Sequence, residues 1–450
     1  MSTLLWAKGD SIDKLMQKLT VGNDYLIDRE MVVWDCIGSA AHARMLHFIG
    51  ILSKEDVTAL LRELKNIFVL GQNKQIEIPI ELEDVHNVIE NMLVDKVGDA
   101  GLRIHAGRAR NDQILVTTRL HLRHMLMQLL LKIADFAHSC VERYDELKDI
   151  QMPGYTHMQP AMPSSVGMWL HSFIEASLEL LKEGLMLLEI INVNPLGASA
   201  GFGSNIPLDR NMTTRLLGFA RTQRSPIDCN NSRGRFEHKV LSFGVEVAGM
   251  LEKFACDMML YTTQEYKFFS LPVELTTGSS IMPQKRNSDL AELLRARAGK
   301  IRAAENELAW ITAKLTSSYN RDFQYTKEPV IRAEHELSEM LSMGVLLVSR
   351  FEVNKERVAA AMYPELYATY EANRLAQSGM PYRLAYRTVA QKVKQNDYDK
   401  SGLVEDFLEI ARQIDTLVIE AKAELVELEK QSKKLSEQFT KIEGAVFNWN

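Results

Sequence analysis

An all-α fold, built on helices much longer than the globular average, is what the sequence predicts, and three observations predict it. Prolines are few and clustered, leaving proline-free runs at 80–152, 164–194, 227–271, 284–328 and 382–450. A helix interior cannot hold proline without losing a hydrogen bond and clashing. Inside those runs the apolar period is helical. Leu122, Met125, Leu129, Ile133 and Phe136 step by three and four, as do Val240, Phe243, Val247, Met250, Phe254 and Met258. There is no β-α alternation and little strand patterning. Helices filling such runs exceed the usual length of about 11–12 residues, and apolar seams of this kind pack on other long helices at shallow angles.

Composition narrows the function classes. The 450 residues are 46% hydrophobic and 25% charged, an ordinary globular balance with length for two or three domains. A formal net charge of −6 leaves no nucleic-acid footprint, so an acidic ligand would have to be held by local Arg and Lys. Cys36, Cys140, Cys229 and Cys256 lie far apart, without CxxC or zinc-finger spacing, and read as buried free thiols. The N-terminal MSTLLWAKGDSIDKL meets acid before an apolar run grows long enough for a signal peptide. The greasiest stretch, MLMQLLLKIADF, is short and carries Lys132, so it is no membrane span. A cytoplasmic protein is expected.

The breaks between helices carry the chemistry. EDVHNVIE (83–90) puts His86 and Glu90 one helical turn apart, which suggests a hydrogen-bonded helix pair more readily than a metal pair. In GLRIHAGRARNDQ (101–113), Arg108 and Arg110 flank Ala109 before a long helix. One is free to meet a ligand carboxylate and the other an internal acid. QMPGYTHMQPAMP (151–163) reads as a proline-bounded loop carrying Thr156 and His157. A lone loop histidine is ordinarily a surface residue, unless a carboxylate held against it raises its basicity. NPLGASAGFGSNIPLD (194–209) is rich in small residues but lacks GxGxxG, GK[ST] and a preceding strand, so it is no nucleotide loop.

The most concentrated break is 271–289, with GSSIMPQKRNSD at its heart. Gly278 frees the backbone at Ser279, so the segment can close over a ligand. Lys285 adds a point charge and Asn287 an amide. Asn287 or Ser288 stands where an N-cap would open the helix through LAELLRARAGKI, whose first amides favour anions. These features suit a carboxylate, although a turn with a helix cap is the simpler reading of the spacing alone. Glu292 is a candidate partner for His157, and Asp289 to Glu292 also has capping-box spacing. The tail beyond about 400 reads as a charged amphipathic helix with one packed stripe.

GSSIMPQKRN resembles the signature loop of the fumarase/aspartase superfamily, lyases that release fumarate. Together with it, HAGRARNDQ, MPGYTHMQPA and YNRDFQYTK (319–327) resemble the argininosuccinate lyase branch, as does GNDYLIDREMVVWDCIGSAAHARML (22–46). The match runs over roughly 20–390. It implies an almost all-α, three-domain chain: an N-terminal helical domain (1–109), a central long-helix bundle (110–355) and a C-terminal helical domain (356–450). It also implies a homotetramer with active sites shared by three subunits, and no metal or organic cofactor.

Carried over by position, the resemblance makes Ser279 the base and His157, with Glu292 as its partner, a proton-handling group. Lys285 and Asn287 become contacts to a substrate carboxylate. Asn111, Thr156, Tyr319, Gln324 and Lys327 become further substrate contacts, with Arg110 in the same motif. The implied reaction is β-elimination of argininosuccinate to arginine and fumarate. A lyase acting on another N-substituted aspartate is the alternative enzyme, and an inactive structural relative the alternative from another class. Four departures stand out: Ser288 where proline is usual, Ala109 where serine is usual, Asp24 where a substrate-binding serine is frequent, and CNNSRGRFEHK (229–239) in place of a Ser-Asp-Arg-Asp stretch. Asp24 is expected to meet an ammonium or guanidinium of the ligand, or else to face solvent or pair with Arg29 or another nearby arginine.

Overall fold

The computed structural model describes residues 13–395 and 398–449; the first part of the stretch read for a signal peptide lies outside them. Five long helices form the centre: Arg110–Leu147, Val166–Ile191, Arg235–Thr262, Asp289–Thr312 and Lys327–Arg350. The apolar residues singled out by period are all buried, from Leu122 to Phe136 on the first and from Val240 to Met258 on the third. Arg110–Leu147 packs along Val166–Ile191 and Lys327–Arg350, and Arg235–Thr262 packs along Asp289–Thr312. Trp169, Phe173 and Phe254 lock one end of this core with ring centroids 5.3–5.6 Å apart. Thirty-eight residues make Arg110–Leu147 about 57 Å long at 1.5 Å per residue, and that length sets the distance between the two ends of the bundle.

Before the bundle, Val32–Phe48, Lys54–Gln72 and Val85–Val97 pack together and onto it. After it, Met362, Leu366, Tyr367, Tyr370, Leu403 and Phe407 form a small core of their own. The Val404–Phe447 helix then returns along the bundle as a charged helix with a buried stripe (Val418, Ala421, Leu425, Leu428, Phe439, Ile442). It reaches the N-terminal helices, where Phe447 meets Phe68 at 5.4 Å. Among the described residues no helix is long and apolar enough to cross a membrane.

Sequence reading missed the strands. Among the described residues three two-stranded sheets occur, and the 151–163 segment is a hairpin, Gln151–Thr156 against Gln159–Ser165, rather than a loop. Its prolines face each other across the ladder, Pro153 opposite Pro163, which spoils the alternating pattern that reveals a strand. Cys256 is exposed, in contrast to the other three cysteines.

Candidate active site

One cleft, about 190 Å³, lies at the end of the bundle where Arg110–Leu147 and Lys327–Arg350 begin. It is lined by six of the eight residues singled out for substrate binding: Asp24, Arg110, Asn111, Tyr319, Gln324 and Lys327. Gln324 is oriented by donating to the Thr20 and Val21 carbonyls, both at 3.0 Å. Sequence reasoning missed Asp28, Glu83, Asp84, His86, Arg233 and Arg321, which line the same cleft. The sequence marks EDVHNVIE as a helix pair and 229–239 as a departure, but nothing local in either shows that His86 or Arg233 faces this cleft.

The lining sets four carboxylates against four cations, and most are already matched. Lys327 is buried and bonds Asp24 at 2.7 Å and Asp28 at closer range. Burial by itself would push the Lys327 ammonium pKa down. Asp28 and Asp24 outweigh it, so the net shift is upward and the amine stays charged. Burial pushes the Asp24 carboxyl above its usual range against the pull of Lys327, and the Asp28 charge adds to the rise. Two carboxylates share one ammonium. Asp24 therefore neither faces solvent nor pairs with Arg29, which instead binds Glu77. Arg110 pairs with Asp84 and, at 3.7 Å, with Glu83. Arg108 turns inward, buried, to donate to Ser39 at 2.9 Å. The two arginines do separate, but the one on the cleft already holds internal acids.

Beneath the cleft, buried polar groups anchor its backbone. Asp112 accepts from Ala109 N–H at 2.9 Å through one oxygen, and from the Gly197 and Ser199 amides at 2.9 and 2.8 Å through the other. It thus caps the long helix and pins the small-residue segment 197–199 with one carboxylate. The expected His86–Glu90 pair does not form. His86 turns to buried Asp35, while Glu90 pairs with His105 at 3.1 Å.

His42 is fully buried, and its Nε2 bonds the Ala106 carbonyl at 3.0 Å, fixing the turn before Arg110. Burial lowers its pKa to about 3, with the Arg108 charge contributing. The unfolded chain therefore binds a proton below its ordinary value near 6.5 that the native chain refuses. From this group stability should fall as pH drops from about 6.5 towards 3, by up to about 1.4 kcal/mol per pH unit. His42→Gln is expected to flatten, without abolishing, the decline in Tm between pH 6.5 and 4.5, because burial lowers the His124 pKa in the same direction. Parallel Tm profiles for the variant and the parent would rule out His42 as the source.

The remaining candidates stand at the far end. Arg110–Leu147 runs its whole length before the hairpin begins at Gln151. The hairpin tip carries Thr156 and His157, both exposed. His157 and Met158 have φ of 51° and 60°, the geometry of a tight primed turn. Without glycine or asparagine each residue is strained by about 1–2 kcal/mol, and such strain is concentrated at functional sites.

Nearby, Thr262 at the end of its helix bonds Ser288 at 3.2 Å, which docks the Ser279 loop. A bridge between Thr277 and Asn287 (N–O 3.2 and 2.9 Å) closes that loop. Ser279 Oγ accepts from the Ile281 and Met282 amides at 3.3 and 3.2 Å. Lys285 is exposed, and so is Ile281, at 83%. Ser288 rather than Asn287 is the N-cap, and it makes no side-chain cap bond. The capping box of Asp289 and Glu292 is absent: Asp289 accepts from Thr277, and Glu292 is exposed on the first helical turn. Within one chain, among the described residues, no hydrogen bond or ion pair joins His157 to Glu292.

A single chain thus carries its candidate residues in two groups at opposite ends of the bundle. One end holds a charged cleft, and the other end carries both a strained histidine turn and a serine loop, with no bond between them among the described residues. The long-helix bundle and the family match define a helical lyase of the fumarase/aspartase type. A family model described as lyase matches residues 8–303. Argininosuccinate lyases from Phocaeicola vulgatus and Xylella fastidiosa are 38% and 40% identical over 402 residues each, covering 88% and 89% of this chain and 89% and 90% of the relatives. The chain belongs to the argininosuccinate lyase family. Its fold is shared with EDDS lyase in complex with formate (TM-score 0.79, 21% identity, 97% of this chain and 95% of that one). It is shared too with class II fumarase from Schistosoma mansoni (TM-score 0.73, 15% identity, 89% and 93%).

Proposed function

We propose that this protein splits argininosuccinate into arginine and fumarate by β-elimination, acting in arginine biosynthesis as a cytoplasmic homotetramer. The observation that carries the reading is the Ser279 loop. Its hydroxyl oxygen accepts from two backbone amides on a loop closed at its base by the Thr277–Asn287 bridge. A serine is a poor base at its ordinary pKa and becomes competent as an alkoxide held by such donors once water is excluded.

The proton removed lies beside a succinyl carboxylate, and its loss builds an aci-carboxylate with nearly two negative charges. Preorganised donors must meet that charge, which is usually the largest catalytic contribution. Lys285, Asn287 and the loop amides take that role. The electron pair becomes the fumarate double bond as the C–N bond breaks, and the nitrogen leaves within a guanidinium. His157, paired with Glu292 of another subunit, supplies the proton on the leaving-group side or assists Ser279. Thr156 binds beside it. The cleft with Asn111, Tyr319, Gln324, Arg110 and the Asp24–Lys327 pair receives the amine half. No cofactor takes part in this scheme. The division into 1–109, 110–355 and 356–450 belongs to the same proposal, with the middle segment forming the core of the tetramer.

Asp24 and the 229–239 segment favour a second reading, a lyase acting on another N-substituted aspartate. Fumarate release followed by ultraviolet absorbance decides between them. Argininosuccinate should give the highest kcat/KM among a panel of N-substituted aspartates, and a better substrate in the panel would replace it.

A further inference from the structure

The two most conspicuous departures of this chain, Asp24 and the 229–239 segment, meet in the same cleft. Asp24 and Asp28 together hold Lys327, so that ammonium is not free to receive a ligand carboxylate. Arg110 is occupied by Asp84 and Glu83. Arg233 differs from both. It is 94% buried, as its 6% exposure states, and it lines the cleft. It forms no ion pair with any described residue. One terminal nitrogen donates to the Phe323 carbonyl at 2.8 Å, and its buried Nε has no partner. The guanidinium lies 5.7 Å from the Phe323 ring and 6.0 Å from that of Tyr319, which hold it in place. Asp24 and Glu237 act on it through space without a direct ion pair, and a buried guanidinium whose Nε has no partner is costly unless an acceptor completes it.

We propose that Arg233, and not Lys327, receives the carboxylate of the amine half of the substrate, and that Asp24 sets this division by keeping Lys327 neutralised. The inference rests on the argininosuccinate reading above and goes beyond it by naming which cation reads the amino-acid end. With a serine at position 24 the lining would carry one more positive than negative charge, and Lys327 would compete for the carboxylate. With Asp24 the charges balance, and of the four cations in the lining Arg233 is the one with a buried, unpartnered nitrogen; the His86 Nε2 beside the same cleft is unpartnered as well. Arg321 also lines the cleft but is exposed and donates to the Thr20 carbonyl at 3.2 Å.

Arginine and agmatine, which is arginine without its carboxylate, separate the possibilities when used as competitive inhibitors of fumarate release by the assembled enzyme. Arg233→Ala should weaken arginine by roughly ten- to a hundredfold, the worth of a charged hydrogen bond, and shift agmatine by less than about twofold on the same scale. Arg233→Lys, which keeps a cation, should lose less. Adding Asp24→Ser to Arg233→Ala should restore part of the arginine affinity by releasing Lys327. Tm and assembly size establish that each variant is folded. Equal losses for arginine and agmatine, no loss, or an arginine-selective loss in Arg321→Ala instead would overturn the proposal. Wild-type enzyme that releases no fumarate from argininosuccinate would overturn the reading beneath it; wild-type turnover with an undiscriminating Arg233→Ala overturns this inference alone.

Discussion

Ser279→Ala is expected to remove turnover, by about 10²–10⁴-fold in kcat on the scale of a general base, while the fold, the assembly and KM stay near their wild-type values. Among the described residues the hydroxyl bonds two backbone amides, at 3.3 and 3.2 Å, on a loop whose other residues are largely exposed. Those amides can turn to water, so the substitution costs little stability. The Thr277–Asn287 bridge that closes the loop does not involve the side chain. A loss confined to kcat is the signature of an interaction made only in the transition state. Purified variant that keeps more than a small fraction of the wild-type rate would remove Ser279 from the role of base. A fall in Tm would instead reassign the hydroxyl to loop structure.

The second large effect is a recovery. His157→Asn and Lys285→Ala should each be inactive alone, and equal mixtures allowed to co-assemble should regain activity. The reason is geometric. Asn111 opens a helix of 38 residues, and the hairpin carrying His157 follows the end of that helix. About 57 Å of α-helix therefore separates residues that the proposed reaction assigns to one substrate. Shared sites resolve this if the histidine turn and the serine loop at any one site come from different copies. Random mixing then leaves about a quarter of the sites with both wild-type elements, as expected for independent draws in a symmetric oligomer. Absence of any recovery in assemblies shown to be mixed, for example by two different tags, would mean that the histidine turn and the serine loop of a site come from one chain.

Much of this was written locally in the chain. The stepping of Leu122 to Phe136 and of Val240 to Met258 marks the buried stripes of two bundle helices because helical period and burial are properties of neighbouring residues. The serine loop was legible because glycine, hydroxyls, lysine and amide are crowded into a dozen positions between two helices. The hairpin was not. Its prolines and glycine look like a loop, and only the pairing of Gln151–Thr156 with Gln159–Ser165 makes it a strand pair with a strained turn.

Helix period and turn chemistry follow from interactions within a few positions, so the all-α fold could be read without coordinates, whereas the twelve candidate residues were implied by the resemblance of their segments to a family. Partners could not be read locally. Asp24 meets Lys327 across 303 positions, Arg233 meets the Phe323 carbonyl across 90, and His86 chooses Asp35 over the Glu90 one turn away. An ion pair or a buried hydrogen bond depends on distances of a few tenths of an ångström between elements brought together by packing, and no local pattern encodes them. That is why the chain announced its chemistry but not which of its cations remains free to bind.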